Sequence, residues 1–253
     1  SPYTFIISLF IRIFGKTPVV YLRSDGFGEY KAILGRIGPA IYFLMYSITT
    51  AISHLISCRN YILRGKKGIV INPSQLDSTW LRKSKTPDLR KFKLLYVGRI
   101  RAEKGITSFA NLIKNKRDIS LTIVGAEKET SYSINQSNVS VQPNQTNKLK
   151  LIKFYDDHNI FILPSYTEGH PMVLLEALAR RRPVIIFKEI DHVIQSRAGI
   201  FISERNYESL NKTIKHIEDN YENIQEMMKK NKLPTFDNFI ESLSLIIKNN
   251  YEK

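Results

Sequence analysis

The stretch NIFILPSYTEGHPMVLLEALARRRPVIIF, residues 159–187, decides the fold. Its opening apolar run ends at a proline and reads as a strand buried on both faces. PMVLLEALARR then reads as a helix, and PVIIF as a second strand of the same kind. Pro171 is placed at the first helical position, which leaves the amides of Met172, Val173 and Leu174 aimed at the preceding loop. A helix start of this sort receives phosphate oxygens, and Gly169 lets the backbone come close to a ligand. Glu168 precedes the helix and Glu176 lies in its second turn; each can accept hydrogen bonds from sugar hydroxyls. The plainer alternative makes Glu168 a partner of the helix dipole and Glu176 a solvated helix residue. Against it, Glu176 sits within VLLEALA, apolar nearly all round, where an unpaired carboxylate costs several kcal/mol, roughly.

Upstream, the same grammar repeats. KLLYVGRI is a strand ending in Gly98, ITSFANLIKNK a helix, ISLTIVGA a strand ending in Gly125, and KLKLIKFYDDH a helix. ESLNKTIKHIEDNYENIQEMMKK, downstream, reads as one or two helices. Strands alternating with helices predict a parallel sheet covered on both faces, with ligands beyond the carboxyl ends of the strands. The corners at Gly98, Gly125 and Pro164 all lie at such ends. In VGRIRAEKGI, Arg99 and Lys104 make a clamp for a diphosphate, one a planar fork of donors and the other a point charge. Read alone, they are equally two surface cations on a basic protein.

The first third is different. Residues 3–14 read as an apolar helix, residues 17–25 as a short buried strand, and a long helical region follows. Residues 37–58 lack Lys, Arg, Asp and Glu, yet Pro39, His54 and several hydroxyl residues make the run polar for a membrane span. A helix buried in a domain or lying on a bilayer surface fits better. GIVINPSQLD, 68–77, is a strand running into an Asn-Pro turn, residues 84–92 a candidate linker, and residues 129–147 a polar loop around a weak strand at 138–141.

The net charge is +15, and residues 1–90 carry 13 Lys+Arg against 4 Asp+Glu, so +9 of it lies there. Such a surface attracts polyanions. Aromatic residues fall in apolar runs rather than between basic ones, so membrane or phosphate partners are expected and nucleic acid is not. The single cysteine, Cys58, excludes an internal disulfide framework, and the five histidines show no HxxxH or HxH spacing, so no metal site is expected.

LLYVGRIRAEKGI followed by ILPSYTEGHPMVLLEALA resembles the family 4 retaining glycosyltransferases, whose E-x7-E signature falls on Glu168 and Glu176. The resemblance covers about residues 68–250. It implies an α/β fold of GT-B type with two Rossmann-like domains. The N-terminal, acceptor-side domain is expected to be incomplete at residues 1–85, and the donor-binding domain complete at 86–235. A C-terminal helix, 236–253, would cross back to the first domain with Phe236, Phe239, Leu243 and Ile246 as its apolar stripe. Roles follow by position. Arg99 and Lys104 would hold the donor's diphosphate with the amides of Met172, Val173 and Leu174. Glu168 would contact the transferred sugar and stabilise charge at its anomeric carbon, with the backbone around His170 beside it. Glu176 would bind the ribose, and the loop after Val141 the base. The donor would be a nucleotide-diphosphate sugar, UDP or GDP, with no cofactor or metal.

The implied function is transfer of a hexose-like unit, with retention, to a polysaccharide or lipid-linked acceptor in cell-surface glycan synthesis. The basic, apolar first third leads to the expectation of a cytoplasmic location, docked at the inner face of an anionic membrane. Alternatives are a non-catalytic nucleotide-sugar-binding fragment or subunit, an epimerase or phosphorylase on the same fold, and a basic membrane-associated adaptor. The chain departs from the family pattern at Arg182, where a glycine is usual, and at Ser24 and Asp25, where related enzymes carry a histidine. The glycine-rich loop that related enzymes carry near the first strand is expected to be missing.

Overall fold

Apolar runs bounded by glycine and proline corners become the strands of two parallel sheets in the computed structural model, which describes residues 1–82, 84–127 and 134–251. The chain divides into two compact units: Ser1–Ser74 with the chain from Pro234 onward, and Gln75–Leu233. Residues 84–92 lie inside the second unit. Part of the polar loop, residues 129–133, falls outside the described residues.

In the first unit, helix α1 (Pro2–Ile13) leads into strand β1 (Val19–Leu22), then α2 (Gly26–Leu34) and α3 (Gly38–Ile52). Strands β2 (His54–Ser57) and β3 (Ile69–Val70) complete a parallel sheet of order β1-β2-β3. The uncharged run 37–58 is therefore not one helix. Ser53 turns extended (φ −126°, ψ 151°), and the next four residues pair in register with β1, Val19 opposite His54. Among the described residues no helix is long and apolar enough to cross a membrane. Asp25 caps α2, accepting from the Phe27 amide at 3.2 Å, and pairs with Arg64 at 3.4 Å.

The second unit opens with the short helix α4 (Ser78–Leu81), capped by Asp77. Strand β4 (Lys93–Val97), helix α5 (Ile106–Leu112), β5 (Ser120–Ala126), β6 (Val139–Pro143) and α6 (Lys148–Asp156) follow. Then come β7 (Ile160–Leu163), α7 (Met172–Ala179), β8 (Val184–Phe187), β9 (Ile200–Ser203), α8 (Tyr207–Asp219) and α9 (Tyr221–Met228). α10 (Phe236–Tyr251) belongs to the first unit, where the Phe239 and Tyr21 ring centroids stand 6.0 Å apart.

The six strands of the second unit run parallel in the order β6-β5-β4-β7-β8-β9. Every residue of β7 and β8 is buried, as expected of central strands covered on both faces. The order reverses between β4 and β7, paired through Leu94–Ile160 and Leu95–Phe161. The Gly98 and Pro164 corners thus flank the point where neighbouring connections leave in opposite directions, which in open α/β sheets opens a crevice.

Candidate functional site

The glycines at the strand ends are there because nothing larger fits. Gly98 (φ +151°) and Gly125 (φ +125°) lie back to back: a Cβ on Gly125 would stand 2.4 Å from the Gly98 carbonyl oxygen. The Gly98 amide donates to the Val124 carbonyl at 2.9 Å. At Gly105 (φ +64°) an added Cβ would lie 2.1 Å from the Pro164 carbonyl oxygen, so the corner after β4 and the corner after β7 press together. The Tyr166 amide joins them by donating to the Glu103 carbonyl at 2.9 Å.

That closeness brings Lys104 to Glu168. Lys104 Nζ lies 2.7 Å from Glu168 Oε1, and the Ser165 hydroxyl donates to the same oxygen at 2.6 Å. The glutamate side chain is only 9% exposed, the lysine 24%. His192 Nε2 donates to the Glu168 carbonyl at 2.8 Å. Arg99 is at the same corner with its side chain exposed; its carbonyl accepts from the Tyr96 hydroxyl at 2.9 Å. Burial, with Glu168 and Glu103 nearby, raises the Tyr96 pKa and keeps the phenol a donor.

Gly169 and His170 are half-buried and Pro171 is buried. Pro171 caps α7 rather than beginning it (φ −72°, ψ 112°), which corrects the expected helix start. Its carbonyl therefore accepts from the Leu174 amide at 3.2 Å, so Leu174 is engaged within the helix start and Met172 and Val173 are the leading helical residues.

Glu176 lies deeper, 1% exposed. The Tyr155 hydroxyl donates to Oε2 at 2.7 Å, and the Gln75 side-chain amide donates to Oε1. Burial raises the Glu176 pKa, and the two donors oppose that rise. The carboxylate is paired, as its apolar setting demands, but by protein groups. Both oxygens are engaged, so a ribose would have to take the place of one of these donors. Arg182 departs from the family in an informative way: it is buried, and Nε donates to the Tyr155 carbonyl at 2.7 Å. The backbone that favours glycine is one residue earlier, at Arg181 (φ +53°).

The structure thus gathers Lys104 with Glu168, and Gly98 with Gly125, while Glu176 sits in a separate pocket of donors. Sequence reasoning missed Ser165, Gly105, Tyr155, Gln75, Arg205 and His192. Only Ser165 carried a local signal, as Ser-x-x-Glu ahead of an apolar run. Among the described residues no group of three or more His, Cys, Asp or Glu side chains is arranged to hold a metal ion.

The family model described as glycosyl transferases group 1 matches residues 77–233, most of the chain. The chain belongs to the group 1 glycosyltransferases. It is 28% identical over 164 residues to the capsular polysaccharide biosynthesis glycosyltransferase CapM of Staphylococcus aureus, covering 59% of this chain and 43% of that protein. It is 26% identical to the putative teichuronic acid biosynthesis glycosyltransferase TuaC of Bacillus subtilis, covering 62% and 41%. The chain spans about half the length of the curated relatives it matches, 41–52%. In fold this group 1 glycosyltransferase resembles sucrose-phosphate synthase of Thermosynechococcus elongatus, with TM-score 0.71, 16% identity, and coverage of 92% of this chain and 68% of that one. It also resembles Alr3699/HepE of Anabaena, solved in complex with UDP and glucose, with TM-score 0.70, 11% identity and coverage of 97% and 75%. The α/β architecture with its two parallel sheets is that of GT-B glycosyltransferases.

Proposed function

We propose that the chain binds a nucleotide-diphosphate sugar, UDP- or GDP-linked, and takes part in transferring its sugar, with retention, to a polysaccharide or lipid-linked acceptor of the cell surface. The observation that carries this reading is the Lys104–Glu168 pair, 2.7 Å apart where the strand order reverses. A cation and a largely buried carboxylate in contact at that switch point suit a substrate that presents phosphates beside sugar hydroxyls. When the diphosphate arrives, its oxygens take Lys104 Nζ from the carboxylate, and Glu168 is released to the sugar. Lys104 and the exposed Arg99 then offset negative charge gathering on the leaving diphosphate. Glu168 faces the positive charge developing at the anomeric carbon as the bond to the diphosphate oxygen breaks. Membership of the family supports the reading, as do the names of CapM and TuaC and the UDP and glucose of the HepE complex.

We place the reaction at the cytoplasmic face of a membrane. Tyr3, Ile6, Ile7, Phe10 and Phe14 form one exposed apolar face of α1 and the residue after it, with Arg12 and Lys16 close by in sequence. Retention in vesicles of anionic lipid but not of zwitterionic lipid supports the placement, and equal retention on neither removes it.

A second reading has its own observation. Because Tyr155 and Gln75 fill both oxygens of Glu176, that residue is either a ribose ligand that exchanges donors or a purely structural group. Thermal stabilisation by UDP, GDP, ADP, CMP and pyrophosphate separates the possibilities. A nucleotide at about 100 times its dissociation constant adds about 2.7 kcal/mol to stability. One nucleotide is expected to stand out, and Lys104→Met to weaken it about tenfold, the loss of one charge-assisted contact. Glu176→Gln lowers nucleotide affinity while sparing pyrophosphate if Glu176 holds the ribose, and changes neither if it is structural. Equal stabilisation by every anion leaves only the basic surface and overturns the donor site.

A further inference from the structure

Arg205 lies just past β9, far in sequence from both glutamates, and its guanidinium is built into the corner that carries Glu168. It donates through Nη2 to the Pro164 carbonyl at 2.9 Å and to the Ser165 carbonyl at 3.0 Å. Nε donates to Glu189 Oε1 at 2.6 Å. The guanidinium carbon stands 4.0 Å from the centroid of the Tyr166 ring and 4.4 Å from that of Phe187. One side chain therefore grips three consecutive residues, Pro164, Ser165 and Tyr166, and ties them to the end of β8.

Those three residues are also the ones that set the Glu168 carboxylate. Ser165 donates its hydroxyl to Glu168 Oε1, and the Tyr166 amide anchors to the Glu103 carbonyl next to Lys104. The Pro164 carbonyl oxygen that Arg205 binds is the one against which Gly105 is pressed. The corner is thus clamped from two sides, by the Glu103–Gly105 turn and by Arg205. A planar fork is needed here, because two carbonyls, a carboxylate and two ring faces are engaged together; a lysine ammonium can satisfy the charge but not the stacking and the fork.

We propose that Arg205 is a positioning residue: it holds residues 164–166 so that Ser165 keeps the Glu168 carboxylate aimed at the sugar of the donor. It does not touch the donor itself. The proposal rests on the donor-site reading above, and the test separates the two.

The quantity to measure is the sugar increment, the ratio of the dissociation constant of a nucleoside diphosphate to that of its glucose conjugate, by calorimetry on the full chain. UDP with UDP-glucose and GDP with GDP-glucose are the probes. In the wild type the conjugate binds more tightly, because the sugar adds its contact with Glu168. Arg205→Lys is expected to lower the increment about tenfold, as small displacements of positioning groups do, while nucleoside diphosphate affinity stays within about twofold. Glu189→Gln, which leaves the fork and the stacking in place, is expected to retain most of the increment. If Arg205→Lys lowers the melting temperature but leaves the increment intact, Arg205 is merely structural and the proposal fails while the donor reading stands. Equal losses of diphosphate and conjugate affinity also overturn it. If the wild type binds neither nucleoside diphosphate, the donor reading fails and the role of Arg205 goes with it.

Discussion

Glu168 and Glu176 stand eight residues apart on either side of one helix start, and the protein treats them in opposite ways. Glu168 meets a cation, Lys104, at 2.7 Å, where water still reaches the lysine. Glu176 is 1% exposed and meets two neutral donors, the Tyr155 hydroxyl and the Gln75 amide. An ion pair near the surface is readily exchanged, since a phosphate offers the lysine the same charge as the carboxylate. A carboxylate fixed by neutral donors inside a packed core is not exchanged cheaply, because any partner that leaves must be replaced at once. The first pair is suited to answering a ligand, the second to holding α7 against α6.

The largest expected effect tests the buried half of that contrast. Tyr155→Phe keeps the ring that packs edge-on against Trp80 and stacks on Phe161 but removes the hydroxyl from the Glu176 carboxylate. The loss of a hydrogen bond to a charged group is about 2 kcal/mol, read as a shift in urea midpoint at unchanged slope. A change below about 0.5 kcal/mol would mean that the hydroxyl contributes nothing to holding the carboxylate.

The pH dependence of Glu176→Gln is the next largest. Burial raises the folded-state pKa of Glu176 above its ordinary 4.5. The unfolded chain therefore gives up this proton at lower pH than the folded one. The stability contributed by the protonated carboxyl is fully present below the unfolded pKa and is lost as pH rises through the folded value. Wild type should lose stability relative to Glu176→Gln as pH rises above 4.5, and a flat difference there would contradict the raised pKa.

How much of this was readable beforehand follows from the length of the contacts. The second unit's strands were legible because β7 and β8 are unbroken apolar runs beside prolines, and the corners because glycine is required at residues 98 and 125. The Lys104–Glu168 corner was foreshadowed, since both residues sit at strand ends of one parallel sheet. The partners of Glu176 were not: Gln75 is 101 positions away, and no local pattern records such a meeting. Strand β2 was hidden for another reason. His54–Ser57 continues an apolar run begun by α3, and only pairing with β1 distinguishes it from more helix. The reversal of strand order between β4 and β7 lies in tertiary pairing that periodicity does not report.

The smallest expected effect concerns the far end of α7, the helix that separates the two carboxylates. The Arg182 amide donates to the Ala177 carbonyl at 2.9 Å and the Arg181 amide to the Leu178 carbonyl at 3.0 Å. With Arg180 as the cap, these are the paired bonds of a Schellman ending, whose left-handed residue is usually glycine. Here that residue is Arg181, at φ +53°. A side chain in this region costs about 1 kcal/mol, and glycine's greater freedom in the unfolded chain returns part of it. Arg181→Gly should therefore stabilise by about 0.5 kcal/mol, while Arg181→Ala, which keeps the strained backbone, should not. Both outcomes are readable in thermal unfolding of the second unit. The Gln225 side chain, which donates to the Arg181 carbonyl at 3.0 Å, keeps its acceptor in either variant, so a gain from glycine alone isolates the backbone. If alanine and glycine stabilise equally, the arginine side chain rather than its φ angle is what the helix end tolerates poorly, and the contrast between the two carboxylates stands unaffected, because neither variant reaches their partners.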